Sequence, residues 1–389
     1  MLNVQIVQPL IPEYRVPFFQ ALLENTQHRV RIFASRTLPN AQDIKTASLS
    51  SPYVYLEHPC IGLFNNKLLW QKGMLLERSL TAGDVLVLCG NARLLSNYPL
   101  IWQARKRHVA TVWWGIGAMP GQNRLNYYIR RRLMRWTDVV LLYTEKEKKE
   151  FMRMGFPPDR LFAINNAIDQ TPIREATQKW SATRLRSFQE EHGIHDKQLF
   201  LFCGRLAVKA RVDLAIEALA LLKEANKHCL LILIGDGEER DRLRDLAEKL
   251  GVMDSIRWLG ALYEQEVMAP WFLSAKVFVY PGYIGLSIMH AMGYGLPVIT
   301  HDNMDNQSPE VAALRNGENG ILFKENSSKD LARRMMELIS NESLRMPMSA
   351  QALVTAQEEF TLPQMVKRFW DATCAAASLR SESCLDTGQ

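Results

Sequence analysis

Apolar residues in this chain gather into short runs of strand length, and longer segments with amphipathic spacing separate them. In the first half these runs lie near Val4–Gln8, Val30–Ala34, Val85–Cys89, Val109–Trp114, Val139–Tyr143 and Phe162–Ile164. In the second half they lie near Phe200–Cys203, Leu230–Gly235, Ile256–Leu259, Val277–Tyr280, Pro297–Thr300 and Gly320–Phe323. Strand-like runs alternating with helical segments predict an α/β fold with parallel sheets. The rhythm occurs twice, which favours two doubly wound domains over one large sheet. The expected boundaries are an N-terminal domain at 1–170, a polar connector at 171–197, a C-terminal domain at 198–355, a helix at 356–378 and a flexible tail at 379–389. The connector carries an amphipathic helix near Ser181–Gly193.

Composition adds bounds. A length of 389 residues, 47% apolar and 23% charged, suits a globular protein of about two domains. The longest apolar runs, Leu230–Ile234 and Val277–Tyr280, fall far short of the roughly 18 to 20 residues of a membrane helix. The first eight residues read as a buried strand rather than a signal peptide, having no basic leader. The cysteines at 60, 89, 203, 229, 374 and 384 lack metal-ligand spacing. Cys89 and Cys203 sit in apolar strands as small core residues, and the expected compartment is a reducing cytoplasm.

Charge is unevenly placed. Up to Gln170 the chain has 22 Lys and Arg against 12 Asp and Glu; the rest has 25 against 29. Much of the excess lies in Arg105–His108 and in Tyr127–Trp136. On a helix, the second segment puts Tyr128, Arg131, Arg132 and Arg135 near one face, with Ile129, Leu133 and Trp136 near another. A solvated helix face and an anionic partner, either a phospholipid surface or a lipid-linked diphosphate, both fit. No nucleic-acid-binding motif accompanies the charge.

Ligands of open α/β sheets bind beyond the carboxyl ends of the strands. Several segments there carry suitable groups. Arg205 follows the strand-end Gly204 and can fork onto phosphate oxygens. Gly235 and Gly237 form a strand-to-helix turn, and Leu262 lies in the loop after the next strand. The stretch from Val279 to Thr300 reads as a strand, a turn at Gly282 and Gly285, a helix from about Leu286 to Tyr294, and another strand. A glycine turn opening a helix presents unpaired N–H groups and a positive dipole end, which suit a phosphate. In the first half, Arg15, the Asn91 and Arg93 pair, and Trp113-Trp-Gly115-Ile-Gly117 also follow strands.

The 279–300 stretch resembles the nucleotide-sugar site of retaining, two-Rossmann-domain glycosyltransferases of family 4. Their pattern is Pro-Ser-x-x-Glu-Gly-Phe-Gly-Leu-x-x-x-Glu-Ala-Met-Ala-x-Gly-x-Pro-Val-Ile. Agreement is strong at Pro281, Gly285, Leu286, Ala291, Met292, Gly295, Pro297, Val298 and Ile299. The two glutamate positions are occupied by Gly282 and His290. The family's Gly-Arg-Leu-x-x-x-Lys-Gly-x-Asp segment matches Gly204 and Arg205, but its lysine falls on Ala210, between Lys209 and Arg211. Where related sequences place a histidine in the first domain, this chain has Ile116.

The resemblance, which spans nearly the whole chain, implies two Rossmann-like domains facing a cleft, the GT-B arrangement. It also implies that the late helix returns to the first domain. Arg205 and Lys209 would be the catalytic cations. Gly204, Gly235, Gly237, Leu262, Gly285, Leu286, His290 and Glu310 would bind the donor. With Gly282 lacking a carboxylate, sugar contacts fall to His301, Asp302 or Asn303. Arg15, Asn91, Gly115 and Gly117 would face the acceptor or cleft. No metal or cofactor is implied, because the leaving diphosphate is thought to assist deprotonation while cations and helix amides stabilise its charge.

The expected activity is therefore retaining transfer of a hexose from a nucleotide-diphosphate sugar to a lipid-linked glycan in cell-surface polysaccharide synthesis. The protein would be cytoplasmic and could sit on the inner face of the membrane. A non-catalytic relative that binds nucleotide or a partner stays open, as does a nucleotide-sugar epimerase.

Overall fold

A computed structural model describes residues 1–39, 47, 51–117, 124–225 and 229–386. It divides into two compact units, one formed by Met1–Asn166 with the chain from Leu362 onward, the other by Ala167–Thr361. Both are built on parallel sheets of Rossmann-like order.

Unit 1 begins with β1 (Asn3–Val7), α1 (Val16–Leu23), β2 (Arg29–Phe33) and β3 (Val54–Tyr55). A small antiparallel hairpin follows, β4 (Cys60–Leu63) with β5 (Leu68–Gln71). The chain then rejoins the main sheet through β6 (Val85–Cys89), α2 (Asn97–Lys106), β7 (Ala110–Trp114), α3 (Arg124–Trp136), β8 (Val139–Leu142), α4 (Glu145–Arg153) and β9 (Leu161–Ala163). The sheet order is β3-β2-β1-β6-β7-β8-β9. Strands β7 and β8 are buried at every residue, which is why their sequences read as unbroken apolar runs.

Unit 2 opens with α5 (Thr171–Gln178) and α6 (Ala182–Glu191). It continues with β10 (Gln198–Cys203), α7 (Val212–Glu224), β11 (Cys229–Ile234), α8 (Arg240–Lys249), β12 (Ile256–Gly260), α9 (Gln265–Ser274) and β13 (Val277–Val279). The seven-residue α10 (Ser287–Gly293), β14 (Val298–His301), β15 (Gly320–Phe323), α11 (Ser328–Ser340) and α12 (Glu342–Val354) complete it. Its order, β12-β11-β10-β13-β14-β15, reverses direction between β10 and β13. That switch point is where the loops after the two strands diverge and leave room for a ligand. Each fully buried Leu or Ile contributes roughly 1.5–3 kcal/mol, and every residue of β11 is buried. The strands thus fix the frame, and the loops at their ends are held by it.

All twelve expected strands are present, while β3 and the β4–β5 hairpin were not anticipated. The segment expected as a connector is instead folded into unit 2. Phe188 of α6 meets Trp180 at 5.5 Å and Trp271 of α9 at 4.9 Å, so an aromatic face seals it down. The last helix, α13 (Leu362–Asp386), belongs to unit 1 and runs through most of the stretch expected as a tail. Arg380 fastens it there, 3.6 Å from Asp138 and donating to the Arg105 carbonyl. Residues 387–389 of the expected tail lie outside the described residues. Among the described residues no helix is long and apolar enough to cross a membrane.

Candidate functional site

Three strand-end loops of unit 2 touch backbone to backbone, and glycines permit it. A Cβ on Gly235 would lie 1.8 Å from the Gly204 carbonyl oxygen, and Gly235 has φ +141°. A Cβ on Gly237 would lie 2.4 Å from the Leu206 carbonyl oxygen. Hydrogen bonds lock the approach: Gly204 N–H donates to Ile234 at 2.9 Å, Leu206 to Asp236 at 3.0 Å, and Gly235 to Gly260 at 2.7 Å. Leu262, past β12, is half-buried and packs against the unit 2 core.

The third contact explains a departure in the sequence. A Cβ on Gly282 would sit 2.0 Å from the Lys209 carbonyl oxygen, and Tyr283 N–H donates to that same oxygen at 2.9 Å. The backbone of Lys209–Ala210 therefore occupies the space a larger residue at 282 would need. Ala210 itself is 1% exposed, its methyl in the core. A lysine there could not present its ammonium at the surface, whereas the exposed Lys209 does, 5.4 Å above the Tyr283 ring. Of the two positions, only 209 presents its side chain at the surface beside this loop.

Arg205 is exposed and pairs with Glu238 at 3.2 Å. Exposed pairs of this kind hold by only about 0–1 kcal/mol, so a diphosphate could compete for the guanidinium. Beyond β13, Ile284 N–H donates to the buried Gln307 at 3.0 Å. The amides of Gly285 and Leu286 have no hydrogen-bond acceptor among the described residues. A Cβ at Gly285 would have nothing within 4 Å. Ser308 hydrogen-bonds the Ile284 carbonyl and the Glu310 carboxylate, the latter at 2.6 Å. Glu310 thus braces this loop from behind. Gln307 and Ser308 were not anticipated; both are uncharged polar residues buried beside the turn, a pattern that only the fold makes meaningful.

His290, expected to hold a ribose, is engaged by neighbouring side chains of α9 and by Tyr294 in this structure. Its Nε2 is 2.8 Å from Gln265 Oε1, and its ring packs against Phe272 at 4.8 Å. Tyr294 donates to the same Gln265 oxygen at 3.1 Å. Burial drives its pKa down to about 4, so the ring is neutral at pH 7 and donates to Gln265. The sequence placed His290 on the right helix, but its side chain joins α10 to α9.

Beside these loops lies a cavity of about 380 Å³ lined by Lys209, Gly282, Tyr283, His301, Asn306 and Glu325 among others. Glu325 accepts from Asn303 at 2.8 Å and Asn306 at 2.6 Å, which hold its pKa down. Of the three residues expected to contact a sugar, His301 lines the cavity, while Asp302 and Asn303 are engaged with Glu325, its amide and its carboxylate respectively. Glu325 and Asn306 were missed, since each sits in a polar loop with no motif.

In unit 1 the expected groups cluster at strand ends, but most are internally satisfied. Arg15 donates to the Tyr143 hydroxyl at 2.9 Å and lies 4.9 Å from the Trp114 ring centre. Asn91 caps its own turn by accepting from Arg93 N–H at 3.0 Å. Gly115 and Gly90 approach so closely that a Cβ on either would lie under 3 Å from the other's backbone. Gly115 and Gly117, expected to face the acceptor or cleft, have their amides engaged within the protein. Gly115 N–H is spent on the Leu141 carbonyl at 3.1 Å and Gly117 N–H on Glu147 at 2.8 Å. Glu147 also accepts from Tyr143 and Thr144 N–H, closing the capping box of α4.

On α3, Arg130 is buried and donates to the Ile116 carbonyl at 3.0 Å. Trp136, placed on the apolar face with Ile129 and Leu133, is 41% exposed with Arg132 5.8 Å from its ring. Among the described residues no cluster of His, Cys, Asp or Glu could hold a metal ion.

Residues 186–354 match the family described as Glycosyl transferases group 1, a segment covering less than half of the chain. The chain is similar to alpha-D-kanosaminyltransferase of Streptomyces kanamyceticus, 25% identical over 60% of each sequence. It is also similar to the lipopolysaccharide core biosynthesis glycosyltransferase LpsE of Rhizobium meliloti, 28% identical over 43% of this chain and 46% of that one. The matches thus span about half to three fifths of these relatives' lengths. Among solved structures, Anabaena Alr3699/HepE in complex with UDP shares the fold, with a TM-score of 0.65, 15% identity, and coverage of 95% and 98%. These likenesses support a glycosyltransferase with two Rossmann-like domains.

Proposed function

We propose that this protein is a retaining glycosyltransferase that moves a hexose from a nucleotide-diphosphate sugar to a lipid-linked glycan in cell-surface polysaccharide synthesis. The observation that carries the reading is the glycine-mediated contact among the loops after β10, β11 and β13; these loops carry Arg205, Lys209 and the amides of Gly285 and Leu286, which have no acceptor among the described residues. Cations and amides fixed before the reaction stabilise a leaving diphosphate without reorganisation. Arg205 and Lys209 are the charge-stabilising pair; Gly204, Gly235, Gly237, Leu262 and Glu310 shape or brace the donor site. The relative named for lipopolysaccharide core biosynthesis favours this class of acceptor.

A membrane surface suits the outer face of α3, where Leu125 and Tyr128 are more than 60% exposed beside Arg132. The face combines apolar insertion with attraction to anionic headgroups. Cosedimentation with phosphatidylglycerol vesicles at low salt, lost at high salt, is the expected result; no pelleting at low salt removes this part.

A second reading rests on the departures at Gly282 and His290, one filled by backbone and the other committed to Gln265. It is a protein that binds nucleotide sugar without transferring it. A thermal-shift panel of UDP, GDP, ADP and TDP with their sugar conjugates tests both, with UDP first because a similar structure holds it. One nucleotide should stabilise the protein and its conjugate should be consumed with release of nucleoside diphosphate. Binding without release favours the second reading, and no shift with any nucleotide overturns both.

A further inference from the structure

The cavity between the loop after β10 and the ends of β14 and β15 contains a group with unmet demand. His301 closes β14, is 2% exposed, and its Nδ1 has no hydrogen-bond partner among the described residues. Glu325 Oε1 stands 4.0 Å from that nitrogen, too far for a hydrogen bond. Buried polar atoms are normally satisfied, and one left over beside a cavity points to a ligand or water that completes it. Burial lowers the pKa of His301, so its ring is neutral at pH 7; the Asn306 backbone engages the ring, and Nδ1 is the atom left for a ligand.

The remaining groups narrow the ligand. Glu325 accepts from Asn303 and Asn306, yet a carboxylate has about four acceptor sites and can take more donors. Lys209 supplies N–H donors over the Tyr283 ring. Arg211 is already spent on Asp213 at 3.1 Å and on Asn326. The lining therefore offers acceptors, one ammonium and an aromatic surface. Hydroxyl groups, which donate and accept at once, satisfy that mixture; a second carboxylate would meet Glu325. A volume of about 380 Å³ lies at the small end of ligand pockets, which run from about 300 to 1,000 Å³.

We infer that this cavity is the subsite for the transferred sugar, and that His301 and Glu325 select a neutral, hydroxyl-bearing hexose. The inference rests on the nucleotide-sugar reading above and assigns sugar recognition to the ends of β14 and β15. Position 282 cannot supply it, because the Lys209–Ala210 backbone fills the space beside Gly282.

The test is calorimetric titration of wild type, His301→Ala and Glu325→Gln. The probes are the nucleoside diphosphate found in the panel and its glucose, galactose, mannose and glucuronate conjugates. In the wild type at least one neutral conjugate should bind about tenfold tighter than the bare diphosphate, and the glucuronate more weakly than that conjugate. Both variants should keep diphosphate affinity within about twofold and lose most of the sugar's tenfold advantage. Glu325→Gln should also narrow the gap between neutral and anionic sugars. If His301→Ala fails to fold, Glu325→Gln carries the test, since its side chain is partly exposed.

Variants that retain the full advantage overturn the subsite, as does a wild type that prefers glucuronate. A wild type that binds the diphosphate but gains nothing from any neutral sugar overturns the subsite alone. A wild type that binds no nucleotide overturns the functional reading and the subsite together.

Discussion

The two units share a parallel sheet with a switch point, yet their strand-end loops are finished differently. In unit 1, Gly90 and Gly115 let two loops touch, and the amides beyond are consumed by Glu147 and the Leu141 carbonyl. In unit 2, Gly204 and Gly235 make the same kind of contact, but the amides of Gly285 and Leu286 have no acceptor among the described residues. Glu147 shows how a site of this kind is closed from within: one carboxylate satisfies Gly117, Tyr143 and Thr144 together. At the unit 2 turn no carboxylate among the described residues accepts from these amides, and Glu310 accepts from Ser308. Shared topology sets where a ligand can bind; the accounting of backbone donors separates a site from a scaffold.

The largest way to break the unit 2 arrangement is Gly235→Ala. The new Cβ would meet the Gly204 carbonyl at 1.8 Å, in a backbone region with φ +141° that other residues rarely enter. Both strain and clash act, and a loss of roughly 3–5 kcal/mol is expected. Gly285→Ala, facing open space, should change stability by no more than about 0.5 kcal/mol. Urea unfolding of the two variants checks this; equal midpoints would show that the loops are not held by the glycine contact.

That contrast marks what could be read in advance. Twelve strands were legible because fully buried parallel strands are apolar runs with no competing period. The two residues of β3 and the β4–β5 hairpin were not. Their segment is mixed in polarity, and its turn, Phe64-Asn65-Asn66, adopts left-handed backbone without a glycine to announce it. In the site, Arg205 and the glycines were legible as strand-end residues. The reason for Gly282 was not, because the sequence records a missing side chain and not the neighbouring backbone that excludes it. For His290 the helix was legible but its neighbour was not, since Gln265 and Phe272 reach it from α9.

Acid sharpens the comparison, because the buried ionisable groups of the two units respond in opposite directions. His290 has a folded pKa near 4 against an ordinary 6.5. The unfolded chain therefore takes up its proton first, and unit 2 loses stability as pH falls from about 6.5 toward 4. Between pH 7 and 5 the loss should be about 2 kcal/mol. Glu147 is shifted the other way, burial raising its pKa above 4.5. Its contribution is greatest in acid and is lost as pH rises through the folded value. His290→Gln, which can still donate to Gln265, should flatten the acid loss in unit 2, leaving a smaller slope from His301, also shifted down by burial. Hydrogen exchange read separately on β11 and β7 at pH 7 and pH 5 resolves the units. Equal acid sensitivity of β11 in wild type and His290→Gln would assign the effect elsewhere.

The smallest effect on stability falls on the residue expected to matter most for transfer. Arg205 and Glu238 are both more than half exposed, 3.2 Å apart. Two long side chains held in water gain little Coulomb energy and spend rotamer freedom, so the pair contributes at most about 0.5–1 kcal/mol. Arg205→Ala should therefore move the urea midpoint hardly at all. In turnover, the same guanidinium meets a diphosphate whose charge grows as the sugar leaves, and its two N–H donors are matched to that geometry. Loss of at least about a hundredfold in nucleoside diphosphate release is expected, equivalent to about 2.7 kcal/mol of transition-state stabilisation. Glu238→Ala supplies the counterpart: it removes one carboxylate that competes with a diphosphate for Arg205, so donor affinity should hold or rise slightly. If Arg205→Ala lost stability and kept its rate, Arg205 would belong with the satisfied loops of unit 1, and the cation at the switch point would have to be Lys209 alone.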